Sequence, residues 1–374
     1  MKNKKVSVSI FSTTWGHHSI GKAVEYALGR KFQTHYNLIK SEILRKPYLY
    51  LYLYFPSLNI IPYKISESEK IRKMSERYFY RFFIKTIERL IEIQKPKVVV
   101  STYFAFNFAL KELSKKYNFI FLNIVADPRT FHELEVLPNA YNFVFDENSE
   151  RRCRKLGINK DKYIKSGWFV RNEFQETKSK AEARSLLGLL PNIFTISVVG
   201  GSEGTLKILK ILPAFWGTEK PIQVIFICGK NKNLYNSLKS FIKLFNLKKN
   251  KNLSILVKGF IVNTEKYLQA SDIVIGKAGP NLLFEAVATI TPFFAISHIA
   301  GQEDGNLDII RKYKLGFVEE NPAKAIGLTR KIIENPEILE KFSKPIQRLS
   351  FYNKSSYSIL EQFVEKKLEE EKIK

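Results

Sequence analysis

Chemistry-bearing residues gather at three places where a strand-like run gives way to a helix-like one. The richest is Ser271–Asn306, which holds Gly276-Lys277-Ala278-Gly279-Pro280-Asn281, then Glu285, then Gly301-Gln302-Glu303-Asp304-Gly305-Asn306. Gly279 and Pro280 fall where a strand ends and a helix begins, and proline suits a first helical turn. Free backbone N–H groups there, with the helix dipole, favour an anion. Lys277 adds a positive charge suited to a diphosphate. Glu285 lies further into the helix and can accept hydrogen bonds from a ribose diol, as acidic residues do in dinucleotide folds. The bland alternative for Lys277 and Glu285 is a surface ion pair. A second anion site is Gly200-Gly201-Ser202-Glu203-Gly204. Its glycines let the backbone approach a ligand closely, and Ser202 suits a helix N-cap. The spacing is not that of a P-loop. The third turn is Thr13-Thr14-Trp15-Gly16-His17-His18. A histidine at such a turn faces a cleft, and the alternative is a capping or packing role. His17 is the better functional candidate of the two.

These turns need a frame of strands and helices to hold them. Lys5–Ser12 is a β-branched run that reads as a buried strand. Ser19–Lys31 has helical spacing through Ile20, Ala23, Val24, Ala27 and Leu28. Thr34–Ile39, Lys97–Ser101, Phe119–Val125 and Asn142–Phe145 read as further strands, with a helix at Ala105–Lys116. A second series follows, with strands at Phe194–Val199, Gln223–Cys228, Ser254–Val257, Asp272–Gly276 and Pro292–Ile296. Strands separated by helices argue for parallel βαβ units. The stretch Phe174–Leu187, rich in Glu, Lys and Ser, reads as the linker. The expected organisation is α/β, with two doubly wound, Rossmann-like halves: residues 1–173, residues 174–350, and a terminal helix at 351–374 that packs back on the first half. In such sheets ligands bind beyond the carboxyl ends of the strands. The cleft between the halves is the default site.

The 374 residues suit two domains. Hydrophobic residues at 45% and charged residues at 26% exclude wholesale disorder. The 2 cysteines, Cys153 and Cys228, exclude a disulfide scaffold or a four-cysteine zinc site, and a reducing compartment fits. No apolar run approaches the 18 or so residues of a membrane span. Met1-Lys2-Asn3-Lys4-Lys5 resembles the start of a signal peptide, but the apolar stretch Val6–Phe11 is too short and Trp15-Gly16-His17-His18 ends it. The expected location is cytoplasmic.

Charge is the anomaly. Lys and Arg number 61 against 36 Asp and Glu, a net +25. Of this, residues 1–174 carry +15. Such an excess favours an anionic partner: nucleic acid, an anionic membrane or a phosphorylated substrate. Its alternative is simple solubility. Two segments stand outside the βαβ pattern. Lys46–Lys64 reads KPYLYLYLYFPSLNIIPYK, a long excursion with strand character and three prolines. Glu69–Gln94 is strongly helical and sets Arg72, Lys73, Arg77, Arg81, Lys85 and Arg89 among Ile71, Met74, Tyr78, Phe79, Tyr80, Phe82, Phe83 and Ile84. Basic and aromatic residues on one helix suit a membrane surface. A plain domain helix packed on the sheet is the alternative.

The block Lys277-Ala278-Gly279-Pro280, Glu285-Ala286 and Ile299-Ala300-Gly301-Gln302-Glu303-Asp304-Gly305-Asn306 resembles the C-terminal signature of monogalactosyldiacylglycerol synthases. Processive diacylglycerol glucosyltransferases and the lipid II-forming N-acetylglucosaminyltransferase are similar but more distant. Gly16-His17, Ala126-Asp127 with His132, Gly200–Gly204 and Gly229-Lys230-Asn231 match further family blocks in the right order. The resemblance implies a GT-B fold and an inverting transfer from a nucleotide sugar, UDP-linked, to a membrane lipid acceptor such as diacylglycerol. It implies that Glu285 holds the ribose, and that Gln302 and Glu303 hold sugar hydroxyls, with Asn306 in the same motif. The loops at Gly201–Ser202 and Lys277–Asn281, including Gly279 and Pro280, receive the diphosphate. Lys230 and Asn231 line the nucleotide sugar, and Phe260 and Ile261 cradle the base. His17 is the candidate base for the acceptor hydroxyl, with Asp127 as alternative or orienter. A near-neutral histidine can take an alcohol proton, and helix N-termini can stabilise a departing diphosphate. No acidic metal-binding DxD motif is apparent, so neither metal nor cofactor is expected.

The chain departs from the family at Thr14-Trp15-Gly16-His17, where Gly-Gly-Gly-His is usual, so Trp15 reshapes the acceptor side next to Gly16. Asn281-Leu282 replaces Gly-Thr, and Gly167-Trp168-Phe169-Val170 replaces Gly-Leu-Pro-Val. The expected enzyme is peripheral on the inner face of the cell membrane, docked through Arg72, Lys73, Arg77 and Arg81. Its rivals are a sugar-nucleotide epimerase or soluble-acceptor glycosyltransferase on the same fold, and a basic nucleic-acid-binding protein. The last lacks any recognisable RNA or DNA module, so nucleic acid is not an expected partner.

Overall fold

A computed structural model describes residues 6–40, 68–129, 131–176, 178–245 and 251–373. The tyrosine-rich run Lys46–Lys64 lies outside the described residues. The chain forms two compact units. One comprises residues 1–172, 300–302 and 352–374, the other residues 173–299 and 303–351.

The first unit is built on six parallel strands in the order β2-β1-β3-β4-β5-β6. They are β1 Ser7–Ser12, β2 Gln33–Leu38, β3 Val98–Ser101, β4 Ile120–Ile124, β5 Tyr141–Val144 and β6 Tyr163–Lys165. β1, β3 and β4 are buried almost throughout, because a strand covered on both faces carries a continuous apolar run rather than an alternating one. The first helix, Gly16–Gly29, buries Ile20, Ala23, Val24, Ala27 and Leu28, the stripe that the spacing predicts. It starts at Gly16 rather than Ser19, so His17 and His18 sit in its first turn. β6 is too short, and too polar at Lys165, to announce itself in sequence.

The helix Glu69–Gln94 buries Phe83, Ile87 and Ile91 at four-residue intervals. They join a core with Phe106, Ala109, Leu110 and Leu113 of the helix Phe104–Lys116. Burial of each large side chain contributes about 1.5–3 kcal/mol. Beyond the third of these residues, polar bonds fix the helix end. Ser9 donates to Gln94 at 2.6 Å, and Gln94 donates to Asn37 at 2.8 Å. The helix Ser356–Lys372 belongs to the same unit and packs on Gly16–Gly29. Tyr357 Oη donates to the Val170 carbonyl at 2.5 Å, and Tyr352 Oη to the Phe145 carbonyl at 2.6 Å. Where one terminal helix is expected from Phe351, the chain makes two, Glu340–Lys354 and Ser356–Lys372.

The second unit has six parallel strands in the order β12-β11-β10-β7-β8-β9. They are β7 Phe194–Val199, β8 Ile222–Ile227, β9 Leu253–Lys258, β10 Ile273–Lys277, β11 Phe293–Ser297 and β12 Gly316–Val318. Read from β9, this is the doubly wound order with its reversal between β7 and β10. Asp272, just before β10, ties the unit together. It pairs with Arg184 at 2.5 Å and Lys180 at 2.9 Å and accepts from the Thr195 N–H at 2.8 Å. Arg184 and Lys180 lie on a helix, Lys180–Leu186, inside the stretch read from sequence as a linker. Its charged residues are the ion-pairing surface of that helix rather than a solvated tether. Among the described residues no helix is long and apolar enough to cross a membrane.

Candidate functional site

In the first unit the strand order reverses at β1, between β2 and β3, and the carboxyl ends of β1 and β3 lie side by side. His17 stands at this place. Its Nδ1 lies 2.6 Å from the Thr102 carbonyl oxygen, just beyond β3. A carbonyl only accepts, so Nδ1 carries the proton and Nε2 keeps its lone pair. Burial pushes the imidazole down to about 4, against a smaller upward pull from the Thr102 bond. At neutral pH the ring is therefore uncharged, in the tautomer a general base needs. Tyr103 packs against it with ring centroids 4.8 Å apart. Ser12 Oγ ties the turn from below by donating to the His17 carbonyl at 2.8 Å.

His18 is held differently. Its Nδ1 lies 2.8 Å from the Tyr36 hydroxyl, a contact within the wall of the unit. Trp15 precedes the helix with φ 61° and ψ −133°. That is a glycine-like conformation, costing about 1–3 kcal/mol for a residue with a Cβ. A glycine-like backbone thus lies under a tryptophan side chain. Asp127, three residues beyond Ile124 at the end of β4, accepts from the Arg129 N–H at 2.8 Å. Its charge and, above all, burial push Glu135 up to about 8. Sequence reasoning missed Glu135, whose only signal was a carboxylate three residues after His132.

In the second unit the glycine loop and the Gly229-Lys230-Asn231 loop close on each other beyond β7 and β8. Gly204 has φ 72°, and a Cβ there would lie 2.0 Å from the Cys228 carbonyl oxygen. A Cβ at Gly229 would lie 2.3 Å from the Gly201 carbonyl oxygen. The Lys230 N–H donates to the Ser202 carbonyl at 2.9 Å. Asn231 has a structural task. Its Oδ1 caps the helix Lys232–Leu244 through the Leu234 N–H at 2.9 Å, and its Nδ2 donates to the Gly204 carbonyl at 2.8 Å. Ser202 is no cap. Thr205 caps the 3₁₀ segment Leu206–Phe215, because Gly204 turns the chain before the segment begins. Lys230 stands 5.5 Å from the centre of the exposed Phe260 ring and 3.8 Å from Glu203. Ile261 follows, half-buried.

The Lys277–Asn306 block folds as a tight polar knot. Gly279 precedes the helix Pro280–Ala288, with Pro280 in its first turn. Asn281 and Glu285 are half-buried on that helix. Lys277 pairs with Glu303, and both are largely buried. Glu303 also accepts from the Ile299 N–H at 2.7 Å, and Asn306 donates to the Ala278 carbonyl at 2.8 Å. Gln302 is exposed beside Glu303. Sequence reasoning also missed His298, at the end of β11. Its Nδ1 lies 2.8 Å from Glu320 and its Nε2 2.9 Å from Asp304. The Glu320 bond, more than any other influence, raises its affinity for a proton. Among the described residues no cluster of His, Cys, Asp and Glu is arranged to hold a metal.

The helix Glu69–Gln94 carries two parallel stripes on its open side. Lys73, Arg77, Arg81, Lys85 and Arg89 are exposed at four-residue spacing. Beside them run the exposed Met74, Tyr78 and Phe82, the two rings stacked 6.1 Å apart. Arg72 differs from its neighbours, because it pairs with Glu133 at 2.6 Å, while Lys73 pairs with Glu69 at 2.7 Å.

Comparison with known proteins follows these two units. The family described as monogalactosyldiacylglycerol (MGDG) synthase matches residues 21–170, and the glycosyltransferase family 28 C-terminal domain matches residues 195–303. The resemblance read from the motifs is borne out. Monogalactosyldiacylglycerol synthase 1 of Arabidopsis thaliana is 24% identical over 347 residues, covering 85% of this chain and 63% of its own length. The chain thus spans less than two thirds of that relative. The processive diacylglycerol β-glucosyltransferase of Bacillus pumilus is 22% identical over 382 residues, covering 97% of this chain and 95% of its own. Among solved structures, MurG of Acinetobacter baumannii matches with a TM-score of 0.60 at 14% identity, over 96% of this chain and 99% of that one. The fold is GT-B.

Proposed function

We propose that the chain is an inverting glycosyltransferase that moves a hexose from a UDP-sugar to a membrane lipid acceptor such as diacylglycerol. The observation that carries the reading is His17: a neutral imidazole with its Nδ1 proton committed to Thr102, in the unit that matches the MGDG synthase family. In this reading Nε2 takes the proton of the acceptor hydroxyl as its oxygen attacks the anomeric carbon. The bond to the UDP oxygen breaks on the opposite face, which inverts the centre. Asp127 acts near the acceptor as orienter. The second unit binds the donor, with Glu285 on the ribose, the Gly201–Ser202 and Gly279–Asn281 backbone on the diphosphate, Phe260 and Ile261 beside the base, and Glu303 toward the sugar together with Gln302, the residue before it in the chain. The naming of relatives as diacylglycerol glycosyltransferases supports the lipid acceptor. The basic and aromatic stripes of Glu69–Gln94 support work at an anionic bilayer surface, with the protein peripheral on the cytoplasmic face. Neither metal nor cofactor enters this reading.

The test is a screen of radiolabelled UDP-sugars against extracted membrane lipids, with the His17→Ala variant beside the wild type. Transfer to lipid by the wild type, lost in the variant, is the expected result. Consumption of UDP-sugar without transfer to any lipid would favour a soluble acceptor or an epimerase.

A further inference from the structure

We propose that Lys207, rather than Lys277, is the cation that binds the distal phosphate of the nucleoside diphosphate donor. The inference rests on the donor reading above and deepens it. It begins with where the positive charges of the second unit are engaged. Lys277 looks from sequence like the phosphate ligand, yet its ammonium is locked on Glu303. That pair stands directly at the start of the helix Pro280–Ala288: a Cβ built on Gly279 would lie 3.5 Å from both Lys277 Nζ and Glu303 Oε1. Lys277 and Glu303 neutralise each other there, so this lysine brings little net charge to an incoming phosphate. Lys230 is shared between Glu203 and the Phe260 ring. Lys210 donates to the carbonyls of Ile296 and Glu320.

Lys207 is the exception among these four. It is half-buried, and its ammonium makes no hydrogen bond or ion pair among the described residues. It follows the Gly200–Gly204 loop at the carboxyl end of β7, the strand that pairs with β10 through Val199 and Gly276. In a 3₁₀ segment residues three apart lie over one another, so Lys207 sits one turn before Lys210, which is anchored at the end of β11. Lys277, Glu303 and Glu320 all act on it electrostatically, which puts it within electrostatic range of the Lys277–Glu303 pair. Burial outweighs the two carboxylates and makes the lone ammonium harder to keep charged. An anion at the same place reverses that penalty.

The chemistry selects the ligand. A nucleotide sugar carries its formal charge on the diphosphate alone, and the distal phosphate gains charge as the sugar leaves. Two further polar groups adjoin the pair and lack partners among the described residues: Ser297 Oγ, at the end of β11, and Asn306 Oδ1. Both side chains are buried, and both residues are tied to Ala278, Ser297 through its carbonyl and Asn306 through Nδ2. The polar knot is therefore built with hydrogen-bonding capacity left over.

Titration calorimetry of the full chain with UDP and with UMP, which lacks the distal phosphate, tests this. Lys207→Gln is expected to weaken UDP binding about 10- to 100-fold, the usual effect of losing a charged hydrogen bond. UMP binding should change by less than about 3-fold, since only the distal phosphate is concerned. Lys207→Arg should recover most of the UDP affinity, and an unchanged melting temperature excludes a folding effect. Lys277→Gln should lower the melting temperature while the preference for UDP over UMP is kept. Unchanged UDP binding by Lys207→Gln overturns the proposal, as does an equal loss for UDP and UMP. So does a selective UDP loss in Lys277→Gln at unchanged melting temperature. If the wild type binds neither nucleotide, the donor reading falls and takes this assignment with it.

Discussion

His17 and His298 show how one residue type is tuned in opposite directions by its partners. His17 is half-buried, and the loss of solvent around its ring outweighs the Thr102 bond, which favours the charged form, so its value falls to about 4. Because that lies below the unfolded histidine value of about 6.5, the linked stability is present above 6.5 and is lost as pH falls from there through 4. Catalysis carried by this imidazole should therefore persist well below pH 6.5, with an acidic limb near the His17 value. His17→Ala should lower turnover by about 10²- to 10⁴-fold, the usual contribution of a general base, with donor affinity unchanged. His18→Ala should do far less. Steady-state kinetics of both variants checks this, and equal activities would move the base elsewhere. His298 bridges Glu320 and Asp304, which raise its value. Its contribution is full below about pH 6.5 and is lost as pH rises through the raised value. A His298→Gln variant should lose thermal stability relative to the wild type mainly in acid, and the two melting curves should converge in alkali.

At the scale of elements, the loops beyond β7 and β8 are held by close backbone packing, and the knot beyond β10 by the Lys277–Glu303 pair. Gly204→Ala would drive a Cβ into the Cys228 carbonyl, at a backbone angle that already favours glycine. It should cost more than about 1 kcal/mol of stability, seen as a lower urea midpoint. Lys277→Gln leaves Glu303 buried without its cation, and breaking such a pair costs about 3–5 kcal/mol. The same denaturation experiment reads it. The helix Glu69–Gln94 divides its labour by face. Ile87→Ala, on the buried stripe, should cost about 2–5 kcal/mol. The exposed stripe should be neutral to stability but decisive for docking. Exchanging Arg72, Lys73, Arg77 and Arg81 for Gln should release the protein from anionic liposomes in co-sedimentation. Arg77 and Arg81 should account for most of the effect, since Arg72 and Lys73 already have carboxylate partners.

At the scale of the whole molecule, a net charge of +25 on a chain whose described helices include no membrane span makes any bilayer attachment electrostatic in large part. Binding to anionic vesicles should weaken steeply between about 0.1 M and 1 M salt, as the Debye length shrinks from about 10 Å to about 3 Å. Sedimentation at both salts measures it, and salt-independent binding would point to the aromatic stripe instead. The two βαβ series, and the turns that carry His17, the glycine loop and the Gly279-Pro280 helix start, were legible in the sequence. Local rules write them: apolar runs for strands buried on both faces, three-to-four spacing for helices, glycine and proline where strands end. The fold class followed from their alternation alone. Partnerships were not legible, because they join residues far apart in the chain. Nothing near Lys277 announces that Glu303 will claim it, nothing near His17 announces the Thr102 carbonyl, and nothing near Asn231 announces the Gly204 carbonyl that its side chain meets. The linker helix and the short strands β6 and β12 escaped for the same reason, being held by neighbours rather than by their own composition. The sequence determined which chemical groups stand at the carboxyl ends of the strands. Tertiary structure alone decided which of them are already satisfied by one another, because burial and charge pairing depend on distance in space, not on distance along the chain.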